Sequence, residues 1–162
     1  MTTLRYIFGD QLGFSISSLS DVNPKEDIIC FAELFQEAIH IRHHKQKLIY
    51  VFSAMRHFAQ ECRDAGFNVD YTYLDPENKK ITFKSLIESK IKQYKIKKVV
   101  FTEPSEYRVL QLVSTLKRDT NITLDIREDM RFFCKKSEFI QWANGQKQLR
   151  MEFFYRYLRK EK

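Results

Sequence analysis

Short apolar runs alternate along this chain with longer stretches whose apolar residues recur three and four positions apart. The runs Leu4–Phe8, Asp27–Glu33, Asn68–Leu74, Lys97–Glu103 and Ile122–Glu128 are rich in β-branched and aromatic residues and bounded by polar ones, and each predicts a strand. Between them, Ile41–Ala65 predicts a long helix. Leu48, Val51, Phe52, Met55, Phe58, Ala59 and Cys62 form its stripe, and Gly66 follows as a stop. Phe83–Lys95 and Ser105–Asp119 predict two ordinary amphipathic crossovers, the second capped by Ser105 just after Pro104. Only the stretch between the first two strands, "GDQLGFSISSLSDVNPKED", lacks a period; it leaves room for one short helix around Ser15–Leu19.

Strands joined by helices must run parallel, because a parallel pair needs a long crossover. The expected fold class is therefore α/β, a Rossmann-like doubly wound five-stranded parallel sheet in the order 3-2-1-4-5. From about Gln148 another helix is expected, with Leu149, Met151, Phe153, Phe154, Tyr155, Tyr157 and Leu158 spread around more than one face. A helix so apolar asks for a surface beyond this domain's own core. The division expected is an α/β domain over 1–147 and a C-terminal helix over 148–162.

Composition narrows the class. The 162 residues suffice for one such domain, and 14 Phe with 8 Tyr supply much of its apolar area. No apolar run approaches the roughly 20 residues of a membrane helix. The first residues lack the basic-then-apolar order of a signal peptide, so the cytoplasm is the expected compartment. Cys30, Cys62 and Cys134 are odd in number and far apart, which argues against a disulfide framework or a self-contained metal site. The net charge of +7 favours phosphate-bearing partners, nucleic acid among them.

In a parallel α/β sheet, ligands sit beyond the carboxyl ends of the strands, where strand order reverses. With strand 1 central, the loops "FGDQL", "AELFQEA" and "TEPSEYR" meet there, and they carry Asp10, Glu33, Glu37, Glu103 and Glu106. A phosphate suits that rim poorly, and no phosphate-loop lysine follows Gly9. Ionised carboxylates only accept hydrogen bonds, so a neutral molecule bearing hydroxyls or ring N–H groups suits it better. Gly9 would let the backbone approach such a guest. His40, His43 and His44 would share one helix face if the helix already runs there, but the Glu of an H-E-x-x-H zinc motif is missing. No serine lies in a G-x-S-x-G elbow.

Taken in order, "IFGDQL", "EAIHIRHHKQKL", "FSAMRHFAQE", "TEPSEYRV" and "RFFCKKSEFIQWANGQKQLRMEFFYR" span nearly the whole chain. Together they resemble the N-terminal domain of the iron–sulfur bacterial cryptochromes and photolyases, the deoxyribodipyrimidine photolyase-related proteins. The resemblance implies a photolyase-type domain that binds an antenna pigment, 6,7-dimethyl-8-ribityllumazine, and is itself not catalytic. It places FAD, the iron–sulfur cluster and most DNA contacts in a helical domain that follows and is not part of this chain. Carried over by position, Gly9, Asp10, Ala32, Leu34, Glu37, His40, Ser105 and Glu106 line the pigment pocket. This chain departs from the family at His40, where relatives often have Tyr, and at "EPSEYR", where they commonly have "EPGEWR". The first change in that motif puts a side chain in the crevice, and the second removes a flat apolar wall.

Two other functions compete. Arg150, Arg156, Arg159, Lys160 and Lys162, interleaved with aromatics, suit a nucleic-acid-binding module that tracks phosphates and stacks on bases. A stand-alone flavodoxin-like enzyme ranks last, since it would need a nucleophile or phosphate loop that the sequence does not display.

Overall fold

The five apolar runs all form strands, and the computed structural model aligns them in one all-parallel sheet in the order β3-β2-β1-β4-β5. The structure describes residues 2–75, 77, 79–119 and 122–161. The strands are β1 (Thr3–Tyr6), β2 (Ile28–Ala32), β3 (Asn68–Thr72), β4 (Lys98–Thr102) and β5 (Thr123–Arg127). The helices are α1 (Phe35–Ile39), α2 (Lys45–Asp64), α3 (Phe83–Tyr94), α4 (Tyr107–Asp119), α5 (Lys136–Ala143) and α6 (Met151–Glu161). A 3-10 turn at Ser17–Leu19 interrupts the irregular stretch. The central strands β1, β2 and β4 are almost wholly buried, while the edges β3 and β5 are half-buried.

Alternation along the strands builds two cores, one on each face of the sheet. Leu4, Tyr6, Cys30, Val99 and Phe101 face α3 and α4, where they meet Phe83, Ile87, Val113 and Leu116. Ile7, Ile29 and Phe31 face α2 and the 3-10 turn, where Met55, Phe58, Ala59 and Cys62 cover them. The long helix predicted from Ile41 starts only at Lys45. Its N-cap is His44, whose Nδ1 accepts from the Gln46 N–H at 3.2 Å. It ends as expected, and Gly66 supplies the positive φ of 85° that turns the chain toward β3.

A buried cation anchors the irregular stretch. Arg5, on β1, donates from Nε to Asp27 at 2.7 Å and from Nη1 to Asp21 and the Ser18 carbonyl, each at 2.6 Å. Arg127, on β5, reaches the same Asp21 at 2.5 Å. The bonds from Arg127, reinforced by those from Arg5, hold the Asp21 carboxyl well below the usual carboxylate range despite partial burial. Arginines from the central strand β1 and the edge strand β5 thus fix a segment that has no periodicity of its own.

At the other end of the chain, α5 was not expected and gives α6 part of its cover. Phe154 packs edge-on against Phe139 at 5.0 Å and against Trp142 at 4.8 Å, with Tyr157 beside them. Leu149, Met151, Phe153 and Tyr155 stay exposed, so only one apolar face of this helix is covered within the described residues. Among those residues, no helix is long and apolar enough to cross a membrane.

Candidate functional site

The reversal of strand order beside β1 opens a hollow of about 210 Å³ at the carboxyl ends of β1 and β2. Its walls come from both faces of the sheet: Val51, Phe52 and Met55 of α2 on one side, Phe83, Val109 and Leu112 on the other. Tyr6, Phe8, Ala32 and Leu34 complete the apolar lining, and Asp10, Glu37 and Glu106 bring carboxylates to it. Gly9 has a definite steric reason. A Cβ there would come within 3.1 Å of Met55 Sδ and 3.2 Å of Val51 Cγ1, so its bare backbone lets α2 close over the strand end.

The acids of the rim are compensated rather than naked. Arg108, on α4, donates to both oxygens of Glu37, at 3.1 and 2.5 Å, and to Glu106 at 2.7 Å. The bonds to Glu37, then those to Glu106, raise the guanidinium's already high pKa and keep it charged. Asp10 accepts from the Ser105 hydroxyl at 2.7 Å, while Arg131 donates to the Asp10 carbonyl. The mouth is therefore a ring of carboxylates held by one arginine, a serine and a neighbouring arginine. Each carboxylate oxygen has more than one lone pair, so accepting capacity remains for a guest.

Two of the five expected rim acids point elsewhere. Glu33 is 2 % exposed and does not line the hollow. Arg56 grips it with two bonds of 2.6 and 2.7 Å, and the Tyr71 hydroxyl and Leu74 N–H complete its shell. Burial pushes its pKa up, but these donors together outweigh burial and hold it below the ordinary value. Glu103 pairs with Lys136 at 2.9 Å and borders a different groove.

Of the residues that the family resemblance assigned to the pocket, Gly9, Asp10, Ala32, Leu34, Glu37 and Glu106 line the hollow together. Ser105 does not line it but fastens Asp10 at its edge; α4 begins two residues later, so this serine is not the immediate cap that was expected. His40 is exposed, caps the C-terminus of α1 and lies outside the lining. The break between α1 and α2 also separates the three histidines, which share no helix face. Among the described residues, no group of three or more His, Cys, Asp or Glu is placed to hold a metal. The apolar walls were hidden in plain view: Val51, Phe52, Met55 and Phe83 read as core stripes, because a pocket wall and a core wall share one helical period.

A wider groove of about 550 Å³ lies outside β5, between the end of β4 and α5–α6, and is lined by Phe132, Phe133, Phe139 and Phe154. It is more open to solvent than the hollow, and two acids along it, Glu128 and Glu103, are paired with its own lysines, Lys135 and Lys136. The switch-point hollow, which combines enclosing walls with convergent acids, is the better ligand site.

The model of the deoxyribodipyrimidine photo-lyase-related protein family matches residues 5–162. A (6-4) photolyase of Agrobacterium fabrum is 40% identical over 161 residues, which are 99% of this chain and 32% of that protein. The chain thus spans about a third of the length of the relative it matches. With the match running from β1 through α6, this chain belongs to the deoxyribodipyrimidine photo-lyase-related protein family.

Proposed function

We propose that the chain is the antenna-binding domain of a photolyase or cryptochrome of the iron–sulfur bacterial type, with 6,7-dimethyl-8-ribityllumazine as its pigment. The observation that carries the proposal is the hollow itself, apolar inside and rimmed by acceptors. At about 210 Å³ it falls below the roughly 300–1,000 Å³ common for ligand pockets. That size suits a two-ring heterocycle, with a polyhydroxylated chain left along the mouth. The residues fit such a guest: apolar side chains exclude water around the ring, and Asp10, Glu37 and Glu106 accept from hydroxyls.

When bound, the pigment supplies absorption of near-ultraviolet or violet light and passes excitation to a flavin. The chain's own residues bind, orient and shield it, and no bond is broken here. On this reading FAD and the iron–sulfur cluster belong to a further, helical domain of the protein, which is this domain's principal partner. DNA is met through the full-length protein, in the cytoplasm, for photorepair or photoreception. Titration of the purified protein with the ribityllumazine, read by absorption and fluorescence anisotropy, tests the proposal. Saturable one-to-one binding that weakens in Glu37→Ala is expected, and its absence in the parent refutes the antenna role.

A basic nucleic-acid-binding module remains the second reading, because Arg150, Arg156, Arg159 and Lys160 are exposed beside exposed Phe153 and Tyr155. Lys162 lies outside the described residues. Arg156 is already engaged with Glu152 at 2.6 Å, which weakens the case. Single-stranded DNA binding that fades steeply with salt and vanishes when residues 148–162 are removed would favour this reading.

A further inference from the structure

Among the side chains that line the hollow, the carboxylates of Asp10, Glu37 and Glu106 only accept hydrogen bonds, and the Tyr6 hydroxyl is the one that can donate. Tyr6, at the end of β1, is 3 % exposed and borders the hollow, with its ring packed against Phe8 at 4.9 Å and Phe83 at 5.2 Å. No hydrogen bond from the described residues reaches its hydroxyl. Nor is that hydroxyl sealed away: the only fully enclosed side-chain polar atom without a partner, among the described residues, is Gln11 Oε1. The small surface that Tyr6 keeps therefore includes its hydroxyl. Burial, with lesser contributions from Cys30, Glu37 and Tyr71, pushes the phenol well above its usual range, so it stays protonated and remains a donor.

Phenylalanine would give the same ring packing without a hydroxyl that has no partner among the described residues. We infer that Tyr6 is a specificity-determining contact of the pocket: its hydroxyl donates to a carbonyl or ring-nitrogen acceptor on the inner end of the bound heterocycle. The three carboxylates of the mouth accept from hydroxyls at the other end. The inference rests on the proposed pigment site and adds a direction to it. The acceptor-bearing ring enters first, and the polyol stays outside. A heterocycle without an acceptor at its inner edge is selected against, because it leaves the phenol unpaired.

Tyr6→Phe tests this without disturbing the aromatic cluster. The parent and the variant are titrated with 6,7-dimethyl-8-ribityllumazine, and the absorption band of the bound pigment and the unfolding midpoint are recorded. The expected result is binding about fivefold to tenfold weaker in the variant. The bound band should also shift relative to the parent, and stability should be equal or higher. Equal affinity and an unmoved band, in a parent that binds, overturn the role of Tyr6 and leave the antenna reading standing. A less stable Tyr6→Phe protein without pigment overturns it too, because the hydroxyl would then have a partner within the fold. A parent that does not bind overturns both readings together.

Discussion

Glu33→Gln separates an acid that holds the fold from one that serves a ligand. Glu33 receives four hydrogen bonds: two from Arg56, one from the Tyr71 hydroxyl at 2.6 Å and one from the Leu74 N–H at 3.0 Å. The glutamine keeps the shape but loses the charge, and its amide nitrogen faces donors instead of accepting from them. Removing one partner from a fully buried pair costs about 3–5 kcal/mol. The Arg56 side chain is 50% exposed and regains water, so the expected loss is smaller, about 2–3 kcal/mol. For a chain of this size that is a fall of roughly 5–10 °C in the melting temperature. Glu37→Gln should move it far less, because the Glu37–Arg108 pair is partly exposed and worth about 1 kcal/mol or less. Pigment affinity should respond the other way round, falling in Glu37→Gln and holding in Glu33→Gln. The pH dependence supplies a second check. Glu33 has a depressed pKa in the folded state, so its contribution is complete above the unfolded value of about 4.3 and is lost as pH falls through the folded one. Calorimetry should therefore show Glu33→Gln losing less stability than the parent between pH 7 and pH 3. A Glu33→Gln melt within about 2 °C of the parent at pH 7 would refute the structural assignment.

Four further outcomes follow from the same contacts. Gly9→Ala should fold with a penalty of about 1 kcal/mol or less, because the flexible Met55 side chain can yield, and should bind the pigment more weakly by calorimetric titration as Met55 and Val51 press into the hollow. Asp27→Asn should cost about 3 kcal/mol in urea unfolding, since it leaves the buried Arg5 guanidinium short of a counter-charge. A disulfide reagent should titrate Cys134 quickly in the native protein and all three cysteines only in denaturant, because burial pushes the Cys30 thiol up to about 12 and the Cys62 thiol up to about 11. Phe154→Ala should undock α6 while sparing the sheet, read as faster amide exchange across Met151–Glu161 and a red shift in the emission of Trp142, the single tryptophan.

Much of this molecule can be read directly from residue order. The five strands fall within one or two residues of the apolar runs, because β1, β2 and β4 are buried on both faces and carry near-continuous apolar sequence. The site was legible as a place, since parallel topology puts the loops after β1, β2 and β4 at one end of the sheet. Its composition was less so. The five-residue α1 is too short to show a helical period, α2 starts at Lys45 instead of Ile41 because His44 caps it there, and α5 escapes the pattern because its covered face is completed by Phe154, more than ten residues downstream.

Local pattern determined the elements, their parallel sense and the end of the sheet where a ligand would sit, because strand burial and helical period are properties of neighbouring residues. The packed fold alone decided what each acid does. Glu33 and Glu37 are four residues apart and chemically alike, yet one continues the ladder from β2, with its N–H bonded to the Thr72 carbonyl, and turns its carboxylate to Arg56. The other rides α1 to the mouth, where Arg108 arrives from α4, 71 positions along the chain. Charge compensation depends on distances of a few ångströms between segments far apart in sequence, so residue order could not assign those partners.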